Sequence, residues 1–152
     1  MIGATLCHII KDSKILLLKK SAGRFGEGKW NAPGGKLEDE EDPEAGAIRE
    51  VCEETGLAVM NLKLFGLLQF YFGQKQEVDW LVYVFSANDF LGKIIASDEG
   101  ELRWFNLEKI PYTEMWEDDK HWLPLLLNSK KFEGTFFFDS EGKSLLDFKI
   151  ES

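Results

Sequence analysis

Nine acidic residues and a single base, Arg49, lie between Glu38 and Glu54. The run closes on Glu50, Glu53 and Glu54, and a turn, Pro33-Gly34-Gly35, leads into it. Hard carboxylate oxygens at this density suit Mg²⁺, which bridges protein carboxylates and substrate phosphates. The chemistry they point to is metal-assisted cleavage of a diphosphate.

A helix is predicted to hold these groups. Asp42 reads as its N-cap and Pro43 as its first residue, and Gly56 as the residue just past its end. At about 100° per residue, Ala45, Ala47, Ile48, Val51 and Cys52 share one arc that can pack on a sheet. Glu50, Glu53 and Glu54 then face outward together. Acids in a last helical turn oppose the macrodipole, and like charges at i and i+4 repel. No Lys or Arg occurs between Arg49 and Lys63 to offset them, so a cation is their expected partner. A solvated acidic face is the alternative.

The chain of 152 residues, 44% hydrophobic, reads as one globular domain, 1–152, with a sizeable core. Its net charge of −9 makes it a poor nonspecific binder of nucleic acid polymers. The charge is local: residues 37–54 carry net −8, whereas residues 19–36 carry net +4. An acidic site beside a basic loop suits a small phosphate ligand; a solvated loop is the plain alternative. Cys7 and Cys52 lack a CxxC spacing and read as buried thiols in a reducing compartment. With no leader or membrane-spanning run, a cytoplasmic monomer that meets no membrane is expected.

The positioning elements follow from pattern. Thr5–Ile10 and Lys14–Leu18 read as a hairpin around Lys11-Asp12-Ser13. Residues 21–29 form a glycine-rich loop with one aromatic, Phe25, and Trp30-Asn31-Ala32 a short strand. Leu62–Phe72 and Val78–Ala87 are two apolar strands around residues 73–77, expected to be covered on both faces. Residues 88–100 read mostly as loop, containing Ser97-Asp98-Glu99, and Leu102–Phe105 as a strand. A second helix is expected from Glu117 or Asp118 to Asn128, capped by Asp118 or Asp119 and kinked or split by Pro124. Thr135–Phe138 and Lys143–Ile150 complete a C-terminal hairpin. The fold class is α/β (α+β): a mixed β-sheet with at least two helices.

Gly35, five residues, Glu41, seven residues and then Arg49-Glu50-Val51-Cys52-Glu53-Glu54-Thr55-Gly56-Leu57 resembles a complete Nudix box, G-x5-E-x7-R-E-U-x-E-E-x-G-U with U apolar. The resemblance implies an α/β/α sandwich that uses Mg²⁺, or Mn²⁺ in its place, to hydrolyse a nucleoside diphosphate linked to another moiety. It implies Glu53 and Glu54 as principal metal ligands and Glu50 as a further ligand or base. The Gly34 carbonyl joins them, and Arg49 orients a glutamate, with Glu41 a candidate partner. Glu99 is a further candidate ligand from a loop beyond the box; a solvated acidic loop is its alternative.

Outside the box the chain resembles the branch of that family that hydrolyses oxidised purine nucleoside triphosphates. The likeness runs from Thr5 to Lys130-Lys131-Phe132-Glu133-Gly134 and includes Met115-Trp116-Glu117-Asp118-Asp119. It implies that Trp116 stacks on a purine, that Asn31, Asp118 and Asp119 read its edge, and that Phe25 closes the pocket, with Thr5 and Gly35 also against substrate. Two adjacent carboxyls do not both ionise readily, so one is expected to stay protonated and donate. The alternative is a helix start with Trp116 as core and the acids as caps. Ala32-Pro33, Glu117 and a longer residue 20–25 loop depart from that branch. Other diphosphate substrates (a dinucleotide, a nucleotide sugar, an RNA 5′ end) and a non-catalytic nucleotide-binding module remain alternatives.

Overall fold

The computed structural model describes residues 1–73, 76–95 and 98–152. The turn expected through Gln74 and Lys75, and Ser97 of the acidic segment, lie outside the described residues. β1 (Ile2–Lys11) and β2 (Lys14–Lys20) form the expected hairpin, with Ile9 opposite Leu16. Asp12 and Ser13 at its tip both take positive φ, 53° and 63°. That backbone matches the right-handed twist of the strands it joins.

β6 (Lys63–Phe72) and β7 (Trp80–Ala87) pair antiparallel, and β7 runs parallel to β1 from Ile2–Trp80 to Ile9–Ala87. β10 (Phe132–Phe138) lies parallel to β6, and β11 (Leu145–Glu151) forms the edge. At the other end β3 (Trp30–Asn31) and β9 (Gly100–Asn106) both pair with β2. The result is the mixed sheet expected. Three short strands were not foreseen: β4 (Gly34–Lys36), which adds to β1, and the pair β5 (Ala58–Met60) and β8 (Asp89–Leu91). Segments of three residues carry no readable period.

Two helices cover opposite faces. α1 (Pro43–Thr55) buries Ala47 and Val51 against Cys7, Ile9 and Leu16. α2 (Asp119–Leu127) buries Trp122, Leu123 and Leu126 against Ile15, Leu17 and Phe136. Strand alternation explains the division, since Leu16 faces one helix and its neighbours the other. Complete burial of Val51 or Leu16 contributes about 1.5–3 kcal/mol each. The α1 core does not extend across β6, where Gln69 is exposed and Leu67 half-buried, so that strand is not covered on both faces as expected.

Each helix departs from expectation in one respect. The buried arc of α1 is centred on Ala47, Val51, Glu54 and Thr55, while Ala45, Ile48 and Cys52 are exposed. The Cys52 thiol is therefore a surface group rather than a core one; Cys7 is buried as expected. In α2, Pro124 does not split the helix, which runs unbroken from Asp119 to Leu127. The Asn128 N–H and Nδ2 both donate to the Pro124 carbonyl and close the turn beyond it. Among the described residues no helix is long and apolar enough to cross a membrane.

Candidate active site

The glycine turn meets β1 at a distance only glycine permits. A Cβ on Gly34 would collide with the Thr5 carbonyl oxygen, and one on Gly35 would lie 2.6 Å from the Glu50 carboxyl. β4 can therefore lie flat between β1 and α1. Its Gly34 N–H donates to Glu54 Oε1 at 2.7 Å. The cap predicted for α1 is present: Asp42 Oδ2 accepts from the Ala45 N–H at 3.1 Å, and Gly56 takes φ 82° beyond the last turn.

The three box glutamates do not face outward together. Glu54 turns inward and is 1% exposed, Glu50 is half-buried, and Glu53 is exposed. The reason is azimuth, since Glu54 sits next to Ala47 and Val51 on the wheel. The expectation that no basic partner exists is also corrected. Lys20, brought in by β2, donates to Glu54 Oε2 at 2.8 Å. Arg49 donates to Glu50 Oε1 at 2.9 Å and to Glu53 at 3.2 Å. Its other nitrogens hold both oxygens of Glu41, at 2.8 and 2.9 Å, so the expected Arg49–Glu41 pair is present. That hydrogen bonding draws the Glu41 carboxyl down to about 2.

Burial raises the Glu54 pKa to about 7 even with Lys20 pulling it down, and burial raises Glu50 as well. Glu99 adds repulsion to both. It stands just before β9, where Ser21 Oγ donates to its carbonyl at 3.1 Å and Arg24 lies 3.7 Å from its carboxylate. Among the described residues no three acidic, His or Cys side chains form a closed metal cage as they stand. The donor set nevertheless fits a hard divalent cation. Glu50, Glu54 and Glu99 are all-oxygen groups lining one cavity, the first two raised by burial and repelled by Glu99.

That cavity encloses about 540 Å³. Gly34, Gly35, Glu50, Glu54 and Glu99 line it, as do Thr5, Phe25, Asn31, Trp116, Asp118 and Asp119; Glu50 and Glu54 gather at the glycine turn, Asp118 and Asp119 at the start of α2. Glu53 and Arg49 do not line it. Asp118 and Asp119 are 3% and 2% exposed. Asp118 stands at the start of α2 but makes no capping bond there; its Oδ2 accepts from Trp122 Nε1 at 2.8 Å. Burial raises its pKa to about 6, and burial together with Asp118 holds Asp119 well above the usual carboxylate range. Asp119 Oδ2 and Thr5 Oγ1 are buried without a hydrogen-bond partner among the described residues. Asn31 Oδ1 accepts from the Ala32 N–H at 2.9 Å, which fixes its carboxamide.

Sequence reading missed the apolar walls: Phe70, Phe72, Trp80, Val82 and Phe138. A signal existed in the alternation of strands. Phe70 and Phe72 share a face, as do Trp80 and Val82. Lys20 and Lys29 also line the cavity, and their spacing from the acids gave no cue.

Comparison with known proteins agrees with this geometry. The family pattern described as NUDIX domain matches residues 1–126. An oxidized purine nucleoside triphosphate hydrolase of Mus musculus is 41% identical over 138 residues, 90% of this chain and 86% of the relative. One of Danio rerio is 42% identical over 135 residues, covering 88% and 85%. The crystal structure of a MutT protein from Bacillus halodurans superposes with a TM-score of 0.89 over 99% of this chain and 98% of that one, at 28% identity. Nudix hydrolases generally use a divalent metal. With a complete box, and with its glycine turn and two of its glutamates, Glu50 and Glu54, around one cavity, the chain belongs to the Nudix hydrolase family.

Proposed function

We propose that this protein hydrolyses oxidised purine nucleoside triphosphates, such as 8-oxo-dGTP or 2-hydroxy-dATP, to the monophosphate and pyrophosphate. It would thereby clear damaged nucleotides from the pool, as a cytoplasmic monomer acting on free nucleotides. The observation that carries the reading is one cavity with a carboxylate end and a buried acid pair beneath an aromatic wall. The names of the mouse and zebrafish relatives support the same substrate class.

At the carboxylate end Glu50, Glu53 and Glu54, with Glu99 and Gly34, would hold Mg²⁺, and Mn²⁺ would substitute. A bound divalent ion neutralises phosphate oxygens and makes water a better nucleophile at neutral pH. Arg49 fixes the carboxylates of Glu50 and Glu53 relative to each other. Glu50 would serve either as a further ligand of that ion or, left free by it, as the base that accepts a proton from water. At the far end Trp116 offers a face to a purine. Burial and the neighbouring Asp118 favour the protonated form of Asp119, whose hydroxyl would donate to the base edge, while the Asp118 oxygen not bonded to Trp122 would accept. A site with both a donor and an acceptor matches the altered edge of an oxidised purine.

Pyrophosphate release across normal and oxidised nucleoside triphosphates, nucleotide sugars and dinucleotides tests the reading. The greatest kcat/KM is expected for 8-oxo-dGTP or 2-hydroxy-dATP, lost in EDTA and restored by Mg²⁺ or Mn²⁺. Turnover confined to nucleotide sugars or dinucleotides would overturn it.

A further inference from the structure

We propose that Trp80 is a specificity-determining residue: a second indole face that acts with Trp116 to select purines by stacking area. This rests on the reading of the cavity as a purine pocket. Trp80 opens β7, and Val82, two residues on, lines the same cavity, so strand alternation aims both side chains into it. The Phe25 ring bridges the two indoles. It lies 5.8 Å from Trp80 at an interplanar angle of 9°, and 5.4 Å from Trp116 at 30°.

Phe25 itself is 67% exposed. It stands on a loop whose Gly23, Gly26 and Gly28 all take φ between 77° and 83°. Its recorded ring contacts are with these two indoles. A base entering the cavity meets the surfaces that Phe25 now covers. The two indoles come from different sides. Lys36, next to Gly35, places Nζ 5.7 Å from the Trp80 ring, whereas Trp116 precedes α2 and has Phe138 edge-on at 6.0 Å. Trp80 thus flanks the glycine turn and Trp116 the acid pair. Two faces reward a bicyclic base more than a pyrimidine, because stacking grows with overlapped ring area.

Binding of 8-oxo-dGMP and dCMP in metal-free buffer, followed by calorimetry, isolates the base end from the carboxylate end. Trp80→Leu keeps an apolar side chain and removes the π face; Trp80→Phe restores a smaller one. Trp80→Leu is expected to weaken 8-oxo-dGMP binding roughly tenfold, within the range of one base–aromatic stack. Loss for dCMP is expected to be smaller, with Trp80→Phe between leucine and wild type for both ligands. Wild-type affinity in Trp80→Leu, alongside a loss in Trp116→Leu, would overturn the role of Trp80 and leave the purine pocket standing. A wild-type protein that binds 8-oxo-dGMP no better than dCMP, with Trp116→Leu unchanged, would overturn the purine pocket and this proposal with it.

Discussion

The two ends of the cavity both bury carboxylates and treat them in opposite ways. At the glycine turn, Glu54 meets the Lys20 ammonium and the Gly34 N–H, and Glu50 meets the Arg49 guanidinium. Around Asp118 and Asp119 the chain supplies an indole N–H and apolar walls, and Lys29 acts on Asp119 only through its field. At the first end each buried carboxylate has a cation in contact, and burial still raises Glu54 to about 7. At the other, among the described residues, the carboxyls have the Trp122 N–H and backbone hydrogen bonds but no cation within ion-pair reach, and burial raises both. In the proposed reading, a single pocket would meet the phosphates with cation-partnered carboxylates and the base with an acid pair that shares a proton.

Glu53→Gln probes the first end with the largest expected effect. Glu53 is exposed and touches Arg49, so the amide should leave the denaturation midpoint nearly unchanged. Turnover of the best substrate should fall about 10²–10⁴-fold, the scale of losing a group that acts on the reacting atoms. Base preference among the residual activities should not move. Near-normal turnover would remove Glu53 from the machinery.

Asp119→Asn probes the second end. The amide brings two N–H donors where a protonated carboxyl has one O–H, so the surplus donor is left unpaired in a buried site, and an unpaired buried group costs about 1–3 kcal/mol. A loss of roughly 5–150-fold in kcat/KM is expected for the preferred oxidised purine. Cleavage of a poor generic substrate should change by much less. Equal losses on every substrate would show that Asp119 supports the chemistry or the fold rather than the base.

The contrast between the ends was only partly legible in the sequence. The box and its caps are local, so α1 and its glycine turn could be read directly, while the Arg49–Glu41 pair came from the family resemblance. The inward turn of Glu54 could not, because its partner Lys20 lies on another strand, 34 positions away. The box glutamates do have basic partners, Lys20 and Arg49, so a lack of positive charge is not what would draw a metal to them. At the base end, Asp118 and Asp119 read equally well as helix caps. What separates the readings is the Trp122 N–H bonded to Asp118, and burial that only packing of α2 on β10 and β1 reveals. Trp80 went unread because a tryptophan opening an apolar strand has the same signature whether it fills a core or faces a ligand.

Asp118→Asn gives the smallest effect and the sharpest contrast in sign. Its carboxyl has an ordinary value of 3.8 and rises to about 6 in the fold, chiefly through burial. Between those values the folded chain holds a proton the unfolded chain has lost, so stability falls as pH rises through that window. Below about pH 3.8 the penalty is absent, and above about pH 6 it is complete. An asparagine keeps an acceptor for Trp122 Nε1 and never ionises. Each pH unit of the elevation corresponds to about 1.4 kcal/mol. The variant is therefore expected to gain on the order of 1–2 kcal/mol at pH 7.5 and almost nothing at pH 4. Tm at both pH values checks it. An equal shift at both, or a loss at pH 7.5, would mean that the aspartate is held by favourable interactions after all, and that the two ends of the cavity handle their carboxylates alike.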